Sequence, residues 1–459
     1  FEDIHVIGGD HRLYQEPALS LRETMASLTL SRMAAAAQSR AAAGSAAKRG
    51  FSSMLTAVEE FPGVPTTTPS QAKASTASVT ALPNGVTVVT EDSSSTSTIS
   101  LTFPNAGSGS EAIAEGGAAL ANKCMAFKSG SGLSSALILR NIEDDGATPF
   151  ATAGRVGATV GYTAAPDKAT RLVPLLATDS SFEKWDVRDA IKFAGSEAED
   201  AKSNAQVVLT EQLYAAAYGA QTPMGRPFYS TGASFATVKS FRERAYGLNG
   251  AILAATGISD HEAFVRAVEH GFSESTVGEA AEKAASAYMG GEARVAAPST
   301  GYAYVALAFE GPSTGALSSV LKHCINLTAG EGVSTFGTAG LIGVYGGADS
   351  AGASGIADAL CAAVSAPSAA IVERAKSLAK AEALFTLDGG SQSLADAMTK
   401  SVLETGTFSV EGIAASYDSI TAKDVGAAFS AMAKSNPAMA AVGDIASVPY
   451  HASVASRFG

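Results

Sequence analysis

The residues of this chain that could do chemistry are few, and they lie apart from one another. The three cysteines, Cys124, Cys324 and Cys361, form no close pair and no Cys-x-x-Cys motif. Cys124 follows Lys123, and a neighbouring cation can lower the pKa of a thiol and make it nucleophilic. The alternative is that Cys124 is a small core residue on an apolar helix.

The histidines predict no metal site. Four of them fall in the region with regular periodicity, and no two have the spacing of metal ligands: His261, His270, His323 and His451. His323 precedes Cys324, but adjacent helix positions point apart, so a nucleophile–base pair is not expected. The glycine-rich stretch 343–355 lacks the Lys-Ser/Thr of a phosphate-binding loop. The sequence therefore predicts no metal and no cofactor.

The composition limits the classes of protein to which this chain can belong. The chain has 459 residues, of which 46% are hydrophobic and 17% charged, enough for two or more globular domains. A net charge of -12 argues against nucleic-acid binding as the main function. The sparse, odd number of cysteines argues against a secreted disulfide framework. No apolar run approaches the roughly 20 residues of a membrane span.

The first 51 residues include a predicted targeting sequence. Residues 25–51 carry four basic residues and no acidic one among many Ala and Ser, which is typical of a mitochondrial transit peptide. The predicted cut lies between Phe51 and Ser52, and the alternative is a disordered Ala-rich tail. Residues 1–24 are acidic and lack an initiator Met, so they are interpreted as upstream sequence. Residues 52–78 read as a Ser/Thr/Pro-rich arm.

The remainder predicts an α+β protein with two similar halves, at 79–287 and 299–459, joined by a linker at 288–298. Strands are expected near 86–90, 99–103, 147–152, 157–163, 251–255, 304–309 and 438–442. Helices are expected near 112–128, 132–145, 167–179, 187–218, 234–246, 314–326, 351–365, 367–386 and 391–404. Segments 99–103 and 157–162 resemble 304–309 and 340–345, which hints at internal duplication. Each half is expected to be a mainly antiparallel sheet with helices packed on one side.

One segment carries a family resemblance. Residues 116–128 resemble the signature helix of the pitrilysin/insulinase metallopeptidases, in which His-x-x-Glu-His precedes a Met-Ala-Phe-Lys-like tail. Here the tail is present at 125–128, but the three chemical positions are Leu120, Lys123 and Cys124. In the family, two His four residues apart bind zinc and the Glu is the general base. The resemblance therefore implies a retained scaffold without catalytic or metal-binding residues.

Further segments extend the resemblance over about 79–445. Residues 82–86, 222–227, 290–292 and 305–311 occur in the order found in mitochondrial processing peptidase subunits and in the core proteins of the cytochrome bc1 complex. The family's distal zinc Glu falls near 196–200, where Glu197 and Glu199 are expected to be solvated helix carboxylates without the two His. The degenerate helix excludes the catalytic β-type subunit.

The length of the segment after the helix near 314–326 distinguishes the α-subunit of the processing peptidase from the core protein 2 type. The α-subunit of the processing peptidase carries a long glycine-rich loop after the helix near 314–326, and here only a few residues follow 327–334 before Gly340. The core protein 2 type is therefore expected, a structural subunit of complex III on the matrix side of the mitochondrial inner membrane. Its expected partners are core protein 1 (a β-type subunit), cytochrome b, cytochrome c1 and the Rieske protein. The alternative is an α-like subunit that assists presequence cleavage; an active metalloprotease is not expected.

Overall fold

The segments with alternating polarity near 86–90 and 99–103 form the centre of a mixed sheet. The computed structural model describes residues 76–458 except 131, 177–179, 274, 276, 280–285, 298–299, 313–314 and 339; the expected transit peptide therefore lies outside the described residues. Within these residues the first sheet has the order β1-β2-β6-β3-β5-β4, and only β2 and β6 run parallel. Its strands are β1 Ala77–Ala81, β2 Thr87–Glu91, β3 Ser97–Phe103, β4 Thr148–Ala153, β5 Ala158–Ala164 and β6 Ile252–Ala255.

The second sheet repeats this topology, which confirms the two similar halves. Its order in the described chain is β7-β11-β8-β10-β9, again with one parallel pair, β7 and β11. Its strands are β7 Gly291–Ala296, β8 Tyr302–Glu310, β9 Val333–Thr338, β10 Leu341–Asp349 and β11 Ala438–Gly443. The segments whose sequences resemble one another lie in equivalent strands, β3 with β8 and β5 with β10.

The described helices follow the sheets in a similar order in both halves. In the first half they are α1 Ala118–Cys124, α2 Ser135–Asp144, α3 Pro166–Ala169, α4 Val173–Leu176, α5 Lys184–Ser203, α6 Ala205–Tyr218, α7 Phe235–Ala245 and α8 His261–Gly271. In the second half they are α9 Gly315–Thr328, α10 Ala353–Ala363, α11 Ala369–Leu387, α12 Ser391–Thr405, α13 Val410–Asp418, α14 Ala422–Lys434 and α15 His451–Ala455. Among the described helices, none combines the length and apolar character needed to cross a bilayer.

One face of each sheet is covered by helices of its own half. Because side chains alternate along a strand, Val88 and Leu253 point to one face of the first sheet, where they pack in one core with Phe241 and Phe264 of α7 and α8. In the second half, β8, β10 and β11 contribute a corresponding face that packs with α9, α10 and α11. These faces account for the two largest buried clusters, and the predicted fold class is confirmed.

The opposite face of each sheet is covered by a helix from the other half. Helix α12 belongs to the second half by sequence, yet Leu394 and Met398 pack against Val89 and Ile252 of the first sheet. In return, α6 of the first half packs on the second sheet, where its apolar residues meet alanines of the strands: Leu209, Leu213, Ala217, Ala306, Ala308 and Ala440. Small side chains on the strands allow the helix to approach closely. The two halves are therefore interlocked by exchanged helices.

Three expected boundaries differ from the structure. The linker 288–298 contains β7, which pairs with β11 at the edge of the second sheet. The helix expected over 187–218 is two helices, because Asn204 has extended ψ and its side chain caps α6 through the Gln206 amide. The helix expected over 112–128 shrinks to α1, because the residue before it, Gly117, has a φ of +85° that a helix cannot continue through.

Leu213 tests the interlocking of the halves. Leu213 is buried between α6 and the second sheet, so Leu213→Ala is expected to lower the free energy of unfolding by about 2–5 kcal/mol. Since the mutated helix belongs to one half and its partner sheet to the other, the loss should appear in a single cooperative urea transition. The matched control is Leu403→Ala on α12, where the leucine is exposed and the cost should stay within about 0.5 kcal/mol. Two separate transitions would contradict the interlocked arrangement.

Candidate functional site

Helix α1 carries the three degenerate positions and is fixed at its first turn by a buried carboxylate. Gly117 precedes it in the left-handed region, and a Cβ at this position would lie 2.5 Å from the Ser230 carbonyl oxygen. The Glu111 carboxylate accepts hydrogen bonds from the backbone amides of Gly117 and Ala119, at 3.3 and 2.7 Å. These amides have no partner inside the helix, so Glu111 acts as its cap. The start of α1 is thus capped by the carboxylate of a residue that precedes it in the chain.

Leu120 occupies the first degenerate position and is fully buried. It packs in a cluster with Val187, Ala190 and Ala194 of α5 and with Val238 of α7. Alanines along α5 allow α1 to lie close to it, and the leucine fills the space between the helices. The position therefore contributes packing energy and offers no ligand atom.

Lys123 is the residue that the resemblance aligns with a general base, and it forms an ion pair with α5. Its ammonium donates to both carboxylate oxygens of Glu197, at 2.6 and 2.7 Å. The expectation that Glu197 is merely a solvated carboxylate is wrong, because its side chain is held by Lys123 and is only partly exposed. Glu199 does fit that expectation, since it is exposed and paired only with Lys202. The positive charge of the Lys123 ammonium is thus balanced by the Glu197 carboxylate.

Cys124 occupies the third degenerate position and lies at the edge of the same cluster. It is half-buried and has no disulfide partner. Burial raises the pKa of the Cys124 thiol above its ordinary value, and Glu197 raises it further, while Lys123 lowers it less than burial raises it. A neutral thiol is a poor nucleophile and a poor metal ligand. The reactive-thiol alternative is therefore disfavoured.

The retained tail after α1 connects two cores. Met125 is buried with Leu120 in the α1–α5 cluster, whereas Phe127 packs against the core of the first sheet. Between them the chain reverses, and Phe127 adopts a positive φ of 56°. Asn122, which sequence reasoning did not single out, donates from Nδ2 to the carbonyls of Ala118 and Val238 and so ties α1 to α7. The tail and this amide hold α1 in place.

Two buried glutamates beside α1 were also missed from the sequence. Burial raises the pKa of Glu111 to about 7, although the Ala119 and Gly117 amides and the Arg226 charge oppose the shift. Burial also acts on Glu115, but hydrogen bonds from Ser240, from the Ala112 amide and from Arg244 outweigh it and lower its pKa. No motif marks either residue: Glu111 accepts from amides at the start of α1, and Glu115 accepts from the Ala112 amide and from Ser240 and Arg244 of α7.

The remaining candidates form no site. His261 bonds through both ring nitrogens to Thr80 and Thr90, each at 2.8 Å, and so ties α8 to the edge of the first sheet. His323 contacts Glu382 on α11, whereas Cys324 is buried in the core on another side of the helix. His451 contacts the Pro437 carbonyl, and in the described chain no three His, Cys, Asp or Glu side chains lie together as metal ligands. The arrangement around α1 consists of apolar packing and the Lys123–Glu197 ion pair.

Comparisons with known proteins agree with this architecture. Residues 86–232 match the profile of the family described as Insulinase (Peptidase family M16). The chain is 26% identical over 430 residues to the mitochondrial-processing peptidase subunit alpha of Solanum tuberosum, with 83% of this chain and 84% of that protein covered. It is 23% identical over 376 residues to the mitochondrial-processing peptidase subunit alpha-2 of Dictyostelium discoideum, covering 73% and 84%. A chain of complex III2 from Candida albicans, solved with Inz-5 bound, superposes with a TM-score of 0.71 at 20% identity and covers 83% of this chain and 99% of that one.

The Lys123–Glu197 pair can be measured by a double-mutant cycle. Lys123→Met keeps the apolar stem and removes the charge, so Glu197 is left unpaired on a partly buried surface. The coupling between Lys123→Met and Glu197→Gln in urea unfolding is expected to be roughly 0.5–1 kcal/mol, because the pair is only partly exposed. The more exposed Lys202–Glu199 pair is the control and should give a smaller coupling. A coupling at or below that of the control would contradict an ion pair that holds α1 to α5.

Glu111 should make stability depend on pH. Its pKa of about 7 lies above the ordinary value of 4.5, so the folded state holds a proton that the unfolded state releases, and stability falls as pH rises between these values. Glu111→Gln removes this titration. As pH rises from 5 to 8, the free energy of unfolding of the variant should therefore increase by roughly 2–3 kcal/mol relative to that of the parent. The control is Glu115→Gln: the pKa of Glu115 is lowered, so its contribution is lost only as pH falls below about 4.5, and its effect should be constant over this range. Parallel curves for Glu111→Gln and the parent in urea unfolding would refute the assignment.

Proposed function

We propose that this chain, whose residues 86–232 form an insulinase-type (peptidase family M16) domain, is a non-catalytic core subunit of mitochondrial ubiquinol–cytochrome c reductase, complex III. The superposition on a chain of Candida albicans complex III2 over nearly its whole length supports the proposal. So does the duplicated architecture, in which exchanged helices interlock the two halves.

The absence of peptidase activity is part of the proposal, and the ion pair on α1 is the observation that carries it. Where the family needs a general base, Lys123 is a cation bound to Glu197. Where it needs ligands, Leu120 is buried among apolar side chains and Cys124 is a partly buried thiol. An ammonium cannot accept the proton of an attacking water, and a leucine cannot bind zinc. The scaffold therefore serves as a structural element.

The short connection between α9 and β9 distinguishes the two proposed functions, the core subunit and the processing-peptidase subunit. Helix α9 ends at Thr328 and β9 begins at Val333, so four residues join them. In the first half, the equivalent connection from Cys124 to Thr148 contains α2 and the tail after α1. A glycine-rich loop long enough to handle a presequence therefore has no room after α9. This observation supports the core subunit, although the curated relatives are processing-peptidase α-subunits.

The proposal includes partners and a location. The chain would pair with a core protein 1 or β-type subunit and support cytochrome b, cytochrome c1 and the Rieske protein from the matrix side of the inner membrane. It would bind no cofactor itself. The basic, acid-free stretch 25–51 supports import into mitochondria. The second candidate, an α-like subunit of the processing peptidase, is favoured by the curated relatives and by an acidic net charge that suits basic presequences.

Native electrophoresis of mitochondrial membranes tests the function. The chain is expected to co-migrate with the haem absorbance of cytochrome c1, to begin at or shortly after Ser52, and to contain no stoichiometric zinc. Recovery only as a dimer with a β-type subunit, without haem, would instead establish the processing-peptidase candidate. The triple variant Leu120→His, Lys123→Glu, Cys124→His supplies the control for latent activity. It should melt lower and cleave no presequence with zinc added, because buried imidazoles without partners cost about 1–3 kcal/mol each; cleavage would overturn the non-catalytic assignment.

A further inference from the structure

Met289 is the most exposed methionine among the described residues. It is 54% exposed, whereas the other described methionines are buried or partly buried: Met125, Met224, Met398, Met432 and Met439. The thioether of methionine is oxidised to a sulfoxide by peroxides, and access to solvent decides which methionine reacts. Within the described chain, Met289 is therefore the methionine that an oxidant in solution reaches first.

Met289 lies where the chain crosses from the first half to the second, just before β7. Its backbone amide donates to the carbonyl of Ala217, near the end of α6, at 2.8 Å. Its own carbonyl accepts from Nδ2 of Asn436, just before β11, at 3.2 Å. Helix α6 belongs to the first half and packs on the second sheet, so these bonds lie at the joint between the exchanged helix and that sheet. A chemical change at Met289 therefore acts on this joint.

The end of the Met289 side chain rests on Gly219. This glycine directly follows α6 and has a φ of +88°. A Cβ at its position would lie 2.6 Å from Cε of Met289, so the methyl group fits there because the glycine has no side chain. The preceding Tyr288 points into the protein, where its hydroxyl lies 3.0 Å from the carbonyl oxygen of Ala308. Met289 thus combines a methyl group held on the end of α6 with a side chain that is half open to solvent.

We propose that Met289 is a site of reversible oxidation by peroxides, and that its sulfoxide loosens the contact with the end of α6. In the forward step a lone pair of the sulfur attacks one oxygen of hydrogen peroxide. The O–O bond breaks, an S–O bond forms and water leaves, so the thioether loses two electrons and the peroxide gains them. In the reverse step a dithiol reductase returns two electrons, the oxygen leaves as water and the dithiol becomes a disulfide. The sulfoxide places a polar oxygen beside the methyl group, which opposes its apolar contact with Gly219.

The cysteines are weaker candidates for the same oxidant. Burial raises the pKa of all three thiols, Cys124, Cys324 and Cys361, above the ordinary value. The thiolate is the form that reacts with peroxide, and a raised pKa leaves little of it at neutral pH. A thioether has no proton to lose, so its reactivity does not depend on a pKa. The inference is independent of the proposed function, since it concerns contacts within this chain.

Peptide mapping by mass spectrometry, after brief treatment of the folded whole chain with hydrogen peroxide, tests the site. The sulfoxide of Met289 should form at least about tenfold faster than those of the four methionines that are at most 3% exposed, Met125, Met398, Met432 and Met439. In concentrated urea the five rates should become similar, because unfolding exposes every thioether. Equal rates in the folded chain, or the same order of rates in urea, would overturn the assignment.

Melting temperatures test the effect on the joint. The parent oxidised at Met289 should melt roughly 1–2 °C lower, and treatment with methionine sulfoxide reductases A and B should restore its melting temperature. Met289→Leu keeps an apolar side chain and removes the sulfur, so peroxide should no longer shift its melting temperature. The matched control, Met224→Leu, changes a partly buried methionine and should respond as the parent does. An oxidised parent that melts unchanged, or a Met289→Leu variant with the parent's shift, would overturn the proposal.

Discussion

The structure depends on the need of each sheet to bury two apolar faces. Val88 and Val89 are neighbours in β2, yet both are completely buried, on opposite faces. A half-buried antiparallel sheet would leave one of these faces to solvent. Here the helices of the same half cover one face, and a helix from the other half covers the second. The exchange of α6 and α12 covers the second face of each sheet, so neither half covers both faces of its own sheet.

Contacts within the chain also fix the position of α1. The helix is positioned by the Glu111 cap, the Asn122 amide and the retained tail, and none of these requires an ion. Leu120 adds apolar contact with the alanine-rich face of α5, where closely packed helices leave little room for other groups. The Lys123 ammonium supplies a positive charge near Glu197. A carboxylate on a partly buried helix surface is thereby balanced.

The periodicity of apolar residues was sufficient to predict the strands and helices that have one clear apolar face or are buried on both faces. Central strands such as β3 and β8, and helices such as α7 and α11, were predicted within a few residues. Three of the four edge strands, β1, β7 and β9, were missed, because an edge strand is covered on fewer sides; the fourth, β4, was predicted near 147–152. The exchange of α6 and α12 was also missed. Local sequence specifies an apolar helix face but does not specify which sheet it covers.

At the candidate site, the sequence identified the residue types but not their contacts. Leu120, Lys123 and Cys124 could be identified as unsuited to zinc from their side-chain chemistry alone. The pairing of Lys123 with Glu197 could not be predicted from the sequence, because the two residues are 74 positions apart. Their contact depends on the approach of α1 to α5. The same holds for Glu111, whose raised pKa results from burial beneath segments that a linear reading does not bring together. What three-dimensional structure adds here is the electrostatic environment: it shows that Glu197 is paired with Lys123 and that burial raises the pKa of Glu111.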